Sequence, residues 1–318
     1  MLNGYRCDGT GVGSFLLKDY VGELMFGECH AHIFMNGYDY PKAVRDHTKE
    51  PNESLIREHL QAYADRGIRF VRDGGDHLGV SALAKKLAKE YGIDYRTPVF
   101  AIHKNGHYGG IVGKGFDTMQ EYAQLVRSAR TQGADFVKIM TTGIMDFDTD
   151  GHITGEALTR QEVREMIHIA HEEGMAVMSH TNGDGPVYDA AEAGVDSVEH
   201  GNYMGAAAME ALADSDTVWV PTAVTISNLI GSGRFDDAVI EKIREKAREN
   251  IAQAFACGVN VGLGSDAGAY RVLHGQGLED EYAFFMDVVK DRQKVDTVLE
   301  YSESIIRKKF KVNRNGDT

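Results

Sequence analysis

The stretch Glu28-Cys29-His30-Ala31-His32 closes an apolar run, Val21 to Phe26, that predicts a β-strand. Because side chains alternate between the two faces of a strand, His30 and His32 should share one face, with Cys29 and Ala31 on the other. Two imidazoles on one face of a rigid strand can bind a divalent metal ion. An HxH tripeptide alone also fits a strand end without a ligand, so its meaning depends on the rest of the chain.

Beyond this strand, β-rich runs alternate with helical segments that end at glycines such as Gly67, Gly133, Gly174 and Gly258. We expect strands near 24–34, 68–73, 95–102, 135–140, 176–180, 195–200, 217–222 and 260–266. We expect helices near 52–66, 80–91, 119–131, 160–173, 186–193, 206–213, 236–256, 277–289 and 296–310. Eight βα units in about 250 residues predict an α/β fold of the (β/α)8 TIM-barrel type. No GxGxxG or Walker sequence lies at a strand-to-helix turn, which disfavours nucleotide-binding folds.

These elements predict a single barrel domain over residues 1–318. Residues 1–23 would form an N-terminal arm or short strands, and residues 24–290 the barrel. Residues 291–318 would add a C-terminal helix and a basic tail, which we expect to be solvated from Lys308 onward.

Composition limits the partners. The chain has 34 Lys and Arg against 48 Asp and Glu, a formal net charge of −14, which argues against nucleic acid and anionic lipid. No apolar run approaches the ~20 residues of a membrane span, and the first residues lack a signal-peptide pattern. Three cysteines are too few for a disulfide framework. We therefore expect a cytoplasmic protein that acts on a small molecule.

Polar residues end several of the predicted strands. In a TIM barrel the carboxyl ends of the strands form one open face, where catalytic groups lie. The strand-end residues that should converge on that face are His30, His32, Lys138, His180, His200 and Asp266. Imidazole and carboxylate together suit zinc, and would also accept nickel, manganese or iron.

Lys138 is the unusual member of this set, because an ammonium group repels a cation. A desolvated neutral amine can instead add carbon dioxide and become a carbamate, which is able to bridge two metal ions. Two divalent metal ions ~3.5–4 Å apart would share a hydroxide at neutral pH. Asp266 would bind one ion and act as general base, then as general acid toward the leaving group.

The motifs around these residues resemble the amidohydrolase superfamily, in particular its imidazolonepropionase-related and prolidase-like metallohydrolases. The motifs are Cys29-His30-Ala31-His32, Val137-Lys138-Ile139-Met140, Ser179-His180-Thr181-Asn182-Gly183, Asp196-Ser197-Val198-Glu199-His200-Gly201 and Gly264-Ser265-Asp266-Ala267-Gly268. Each is weak alone, but five in order on the expected strands make a strong pattern.

The resemblance implies a role for each residue. His30, His32 and Asp266 would hold the first metal, His180 and His200 the second, and carboxylated Lys138 would bridge them. Related enzymes often use a histidine after strand 3 to polarise the substrate carbonyl, and His107, in Gly106-His107-Tyr108-Gly109-Gly110, is the candidate.

Two features depart from the family. The usual Pro-Gly and Asp before HxH are replaced by Met25-Phe26-Gly27-Glu28. The chain ends also lack the pattern of the accessory β-sandwich that the family commonly adds. We therefore expect a nearly bare barrel, and a homo-oligomer is an open option because such a barrel exposes surface that a second subunit could cover.

The function that this pattern predicts is hydrolysis of an amide-type C–N bond, in a peptide, N-acyl amino acid, lactam or related amide, by a metal-bridging hydroxide. The same site could serve a lactonase, esterase or phosphoesterase. A mononuclear deaminase is disfavoured, because Gly183 stands where such enzymes carry a glutamate. A non-catalytic metal-binding scaffold would not need Asp266. We expect the loops at 35–52, 104–117, 143–158 and 225–235 to determine specificity.

Cys29 is expected to be a packed thiol, and Tyr203, Tyr270, Arg271 and His274 are candidates for lining the pocket. Three histidines on predicted helices are expected at the surface: His59, His168 and His171.

Overall fold

The structure, a computed structural model, describes residues 26–312, so the predicted N-terminal arm at 1–23 lies outside the described residues. Short parallel strands alternate with helices over this range. The strands are β1 (Glu28–Ala31), β2 (Phe70–Asp73), β3 (Asp94–Arg96), β4 (Ala101–Lys104), β5 (Gly113–Phe116), β6 (Val137–Met140), β7 (Val177–Thr181), β8 (Ser197–His200), β9 (Val218–Val220) and β10 (Asn260–Val261).

The helices follow the strands in the expected alternation. They are α1 (Tyr40–His47), α2 (Glu53–Ala64), α3 (Val80–Leu87), α4 (Met119–Thr131), α5 (Arg160–Glu172), α6 (Asp184–Glu192), α7 (Ala206–Ala213), α8 (Val224–Ser227), α9 (Asp237–Cys257), α10 (Gln276–Val289) and α11 (Arg292–Lys309), with a 3-10 turn at Ala88–Tyr91. Thr118 and Thr159 form capping boxes with Glu121 and Glu162, which explains why α4 and α5 begin where the sequence predicts.

All strand pairs are parallel, in a sheet of order β1-β2-β3 and a sheet of order β10-β9-β8-β7-β6-β4-β5. Backbone hydrogen bonds join the two sheets along both of their edges. Cys29 N–H donates to Leu263 O at 2.9 Å and His32 N–H to Ala267 O at 2.8 Å, whereas Asp135 N–H donates to Thr97 O at 2.9 Å. The predicted TIM-barrel fold is confirmed, with β3 and β4 together occupying the third strand position.

The structure corrects three details of the prediction. Residues 40–47 form α1 rather than loop, because Asp39 caps the helix and Pro41 lies in its first turn, where proline is tolerated. The single strand expected at 95–102 is broken between β3 and β4, where Val99 has a φ of 67°. The loop at 104–117 contains β5, which pairs with β4.

The C-terminal helix closes the barrel at the end opposite the predicted site. Ile306 and Phe310 are wholly buried in a cluster with barrel residues that include Phe70 and Phe136. The Arg72 guanidinium carbon lies 4.4 Å from the centroid of the Phe310 ring. The tail is therefore not solvated at Phe310, because this ring fills the base of the barrel.

Within residues 26–312, all of the strands belong to these two sheets. None of the described helices combines the length and apolar character that a membrane crossing requires.

Candidate active site

The six predicted ligands meet at the carboxyl end of the strands. The His30 and His32 ring centroids lie 5.4 Å apart, those of His30 and His200 5.0 Å, and those of His180 and His200 4.6 Å. Lys138, His180, His200 and Asp266 line one cavity together with His32. Four strands and the turn after β10 thus bring together residues from 30 to 266.

Three of these residues form a compact group of metal-ligand type. One ligand atom from each of His30, His32 and Asp266 lies within 4.8 Å of the others. Asp266 Oδ1 is 3.4 Å from His30 Nε2 and 3.6 Å from His32 Nε2. Two imidazole nitrogens and one carboxylate oxygen are a donor set that suits zinc.

Several atoms in this region are buried without a hydrogen-bond partner among the described residues. They are His30 Nε2, His32 Nδ1, Lys138 Nζ and Asp266 Oδ1. A buried polar atom without a partner costs about 1–3 kcal/mol, so a group of them at one place indicates a ligand that satisfies them. The residues present therefore fit a metal centre.

Hydrogen bonds to neighbouring residues fix the orientation of the imidazole rings. His30 Nδ1 bonds to Glu199 at 2.6 Å, and His200 Nδ1 to Thr222 Oγ1 at 2.7 Å, which leaves each Nε2 for a ligand. His180 is held through Nε2, 3.1 Å from the Gly143 carbonyl. Such contacts orient metal-binding histidines and fix their tautomers.

A buried ion pair lies beneath His30. Arg72 and Glu199 are wholly buried, and Arg72 Nη2 lies 2.9 Å from Glu199 Oε1. Ser197 Oγ donates to the same oxygen at 2.5 Å, and Arg72 Nε donates to the Cys29 carbonyl at 2.6 Å. With its hydrogen bonds satisfied, the pair holds the carboxylate that contacts His30 in one position.

Glu28 joins the two segments that carry the compact group. Its Oε1 accepts from His30 N–H at 3.1 Å and from Ser265 N–H at 2.8 Å, and its Oε2 accepts from Ser265 Oγ at 2.5 Å. Glu28 thus stands, two residues before the first histidine, where the family usually carries an aspartate, and it positions the turn that presents Asp266. Burial raises the pKa of Glu28 to about 7.

Backbone strain is concentrated at the same place. His200, Thr222 and Asp266 all have positive φ, at 68°, 53° and 60°. Non-glycine residues rarely adopt this conformation, and where it is held by its surroundings it is typical of functional sites.

Burial sets the protonation states. It lowers the pKa of His32 and of His180 to about 3, with further lowering by Lys138, and holds the pKa values of His30 and His200 well below the usual range. Burial also lowers the pKa of Lys138 to about 8. The imidazoles are therefore neutral at pH 7, with lone pairs available to a metal.

The cavity around these groups has a volume of about 490 Å³. Each loop predicted to determine specificity contributes to its wall, through Met35, Tyr108, Phe147 and Leu229 among others. Its lining combines apolar and aromatic residues with polar ones, which include Asp146, Asn182 and Asn202 as well as the predicted ligands.

The structure does not bring His107 into this cavity. Its Nδ1 lies 3.0 Å from the Glu156 carbonyl, whereas its neighbour Tyr108 lines the cavity and packs on His180 with ring centroids 5.0 Å apart. Of the other pocket candidates, Tyr270 lines the cavity, and Tyr203 lies beside it in a small void that His200 also lines.

His274 is buried away from the cavity, where its Nδ1 contacts Tyr63 at 3.0 Å, and Arg271 is exposed. His59 is not a surface group, because its ring packs on His274 at 4.1 Å and its Nδ1 contacts the Ile33 carbonyl. His168 and His171 are exposed, as predicted. Cys29 is a buried thiol that packs with residues such as Phe70, also as predicted.

Sequence reasoning did not identify Arg72, Glu199, Thr222 or Arg234. The first two are charged residues within short, buried strands, β2 and β8, which is a usable signal, since buried charges are normally paired or functional. Arg234 lies on a loop whose direction the sequence does not reveal.

Comparisons with known proteins identify the family and the fold. The model of the amidohydrolase family matches residues 26–299. The fold is similar to that of a Xaa-Pro dipeptidase with methionine bound in its active site (TM-score 0.71, 20% identity, 89% of this chain and 75% of that chain). It is also similar to a prolidase complexed with N-methylphosphonate-L-proline (0.68, 21%, 92% and 76%) and to the A. niger ochratoxinase (0.69, 18%, 86% and 68%). No curated protein matches the chain.

Proposed function

Because the chain belongs to the amidohydrolase family and is a hydrolase of C–N bonds, we propose that it uses two divalent metal ions, most suitably zinc, to cleave an amide in a small substrate. The observation that carries this proposal is the set of four imidazoles, one lysine and one carboxylate around a single cavity. Buried atoms without partners in this set support it.

In this proposal His30, His32 and Asp266 hold one ion, and His180 and His200 hold the other. Lys138 would bridge them after its neutral amine adds carbon dioxide, a reaction in which a bond forms between Nζ and the carbon and one proton leaves to solvent. The unpartnered, buried Nζ supports this role, since neither a carboxylate nor a carbonyl holds it as an ammonium.

Bound divalent ions would lower the pKa of a water molecule and polarise the substrate carbonyl. The chain supplies the proton transfer. Asp266 takes the proton from the attacking water and delivers it to the nitrogen of the leaving amine as the C–N bond breaks. The exposed fraction of its side chain is 17%, so it can reach the cavity while its backbone is held by a hydrogen bond to His30 O at 2.7 Å.

The cavity wall includes apolar residues such as Met140, Phe147 and Leu229 beside the polar groups. It favours a dipeptide or N-acyl amino acid with an apolar side chain. The role predicted for His107 requires its ring to leave the Glu156 carbonyl and turn into the cavity. The sparse cysteines, with Cys29 and Cys257 not in disulfides, support a reducing, cytoplasmic compartment.

The test is a turnover screen of the zinc-loaded protein against dipeptides, N-acyl amino acids, lactams, lactones, aryl esters and phosphotriesters. We expect the highest kcat/KM among the amides. Preference for a lactone, ester or phosphotriester with no amide turnover would contradict amide hydrolysis while retaining the metal centre.

A further inference from the structure

We propose that Arg234 binds an anionic group of the substrate, most simply a carboxylate, so that the enzyme acts on N-acyl amino acids or dipeptides with a free C-terminal carboxylate. This inference rests on the proposed function, because it assigns the end of the substrate that lies away from the metal-binding residues.

Arg234 lines the same cavity as Lys138 and Asp266, on the loop between α8 and α9. Apart from histidines, Arg234 and Lys138 are the residues with cationic side chains in that lining. Lys138 is wholly buried at the ligand cluster, so Arg234 is the cationic group at the open part of the cavity.

Two aromatic rings hold the guanidinium. Its carbon lies 4.8 Å from the Tyr270 ring centroid and 5.3 Å from that of Phe235, both of which also line the cavity. Cation–π packing occupies the face of a guanidinium and leaves its N–H edge for hydrogen bonds, which suits a planar carboxylate. The loop backbone is fixed by hydrogen bonds from Gly231 N–H to Asp237 and from Arg234 N–H to Ser232 Oγ.

The guanidinium has no acidic partner. Among residues 26–312, no carboxylate oxygen lies within 4.0 Å of it, although the chain carries 48 acidic against 34 basic residues. Asp146 and Asp148 also line the cavity, but neither carboxylate forms an ion pair with the guanidinium, and that of Asp146 accepts from His152 at 2.9 Å and from the Asp148 N–H. In a chain with excess acid, an arginine held by aromatic rings at a cavity and not paired is available for an external anion.

Apolar and aromatic residues lie in the same cavity wall as the two ends of the proposed substrate site. Leu229, Phe147 and Tyr270 lie in the same lining as Arg234 and the metal-binding residues. A substrate would therefore place its amide at the metal-binding residues, its apolar side chain among these residues and its carboxylate at Arg234.

The test compares N-acetyl-L-leucine with N-acetyl-L-leucinamide, which has the same shape without the charge. Binding is measured by calorimetry on the full-length, zinc-loaded Asp266→Asn protein, and turnover on the protein with Asp266 intact. We expect Arg234→Met to weaken binding of the acid by at least about tenfold and to raise its KM with little change in kcat. Binding of the amide should change by less than about twofold, and Arg234→Lys should retain part of the acid's affinity. Arg164→Met, on the exposed face of α5, is the matched control and should change neither.

Equal effects of Arg234→Met on acid and amide, or no binding of either probe, would overturn the role of Arg234. Acid binding that depends on Arg234 without turnover of any amide would leave this inference standing and contradict the proposed function. Equal turnover of N-acetyl-L-leucine and N-acetyl-L-leucinamide would support the proposed function and contradict the role of Arg234.

Discussion

His30 Nδ1 lies 2.6 Å from Glu199 Oε2, and both side chains are wholly buried. The carboxylate holds the ring in the tautomer that carries a proton on Nδ1, so that Nε2 presents a lone pair toward Asp266. Glu199 is itself held by Arg72 and Ser197. A chain of contacts thus runs from the barrel interior to a predicted metal ligand.

Replacing Glu199 with Gln should weaken metal binding by about 10–100-fold, because the amide no longer fixes the His30 ring as a carboxylate does. Competition with a chelator measures this affinity. Glu281→Gln is the matched control, because Glu281 is also wholly buried but binds the backbone N–H groups of Ala223 and Val224 instead. Equal metal affinity of Glu199→Gln and wild type, with both folded by circular dichroism, would contradict a positioning role for Glu199.

Phe310 should be a major stabilising residue, because its ring covers Arg72 and packs on Phe136 with centroids 5.2 Å apart. We expect Phe310→Ala to lower the free energy of unfolding by about 3–5 kcal/mol, measured by urea denaturation. Tyr301→Ala on α11, the helix that Phe310 directly follows, is the control, since Tyr301 is 60% exposed, and should change that free energy by less than about 0.5 kcal/mol. Similar losses for the two variants would show that the base of the barrel does not depend on Phe310.

Asp266→Asn should lower kcat by about 10²–10⁴-fold, because the amide cannot accept the proton from water. Asp296→Asn on α11 is the control and should leave kcat unchanged. The measurement is steady-state turnover of the best amide from the screen, with metal content determined on the same samples. Activity that survives in metal-loaded Asp266→Asn would contradict the assignment of Asp266 as the base.

Ionisation of Glu162 should make the free energy of unfolding depend on pH in the acidic range. Its hydrogen bond with Lys104, 2.5 Å long, together with the Thr159 cap, lowers its pKa to about 2. A depressed carboxylate pKa adds stability that is fully present above the unfolded-state pKa of about 4.5 and is lost as the pH falls toward 2. The difference in unfolding free energy between wild type and Glu162→Gln should therefore shrink as the pH falls from 6 to 3. A difference that stays constant over this range would contradict this linkage.

Local chemistry made much of the fold predictable. Thr159 caps α5 at the start of the helix expected near 160–173, and Gly67 and Gly258, at the ends of their helices, have positive φ. The strand-end residues were also readable, because a parallel barrel places all such ends on one face. The family assignment, made on those motifs, is confirmed.

The remainder depended on contacts that sequence does not encode locally. Glu199 meets Arg72 across 127 positions of the chain, and no periodicity reports such a pairing. The loop at 104–117 turns Tyr108, not His107, toward His180, which depends on how β5 pairs with β4. Residues 40–47 lie in an expected loop but form a helix, because Asp39 caps it and Pro41 is tolerated in its first turn.

Metal content tests the central claim most directly. Elemental analysis of wild type and Lys138→Ala, each expressed with zinc and with or without added bicarbonate, counts the ions per chain. We expect about two ions per chain in wild type with bicarbonate, and loss of bound metal in Lys138→Ala, because no bridging carbamate can form. One ion per chain in wild type, with no change on bicarbonate addition or in Lys138→Ala, would contradict the carbamate-bridged pair of metal ions.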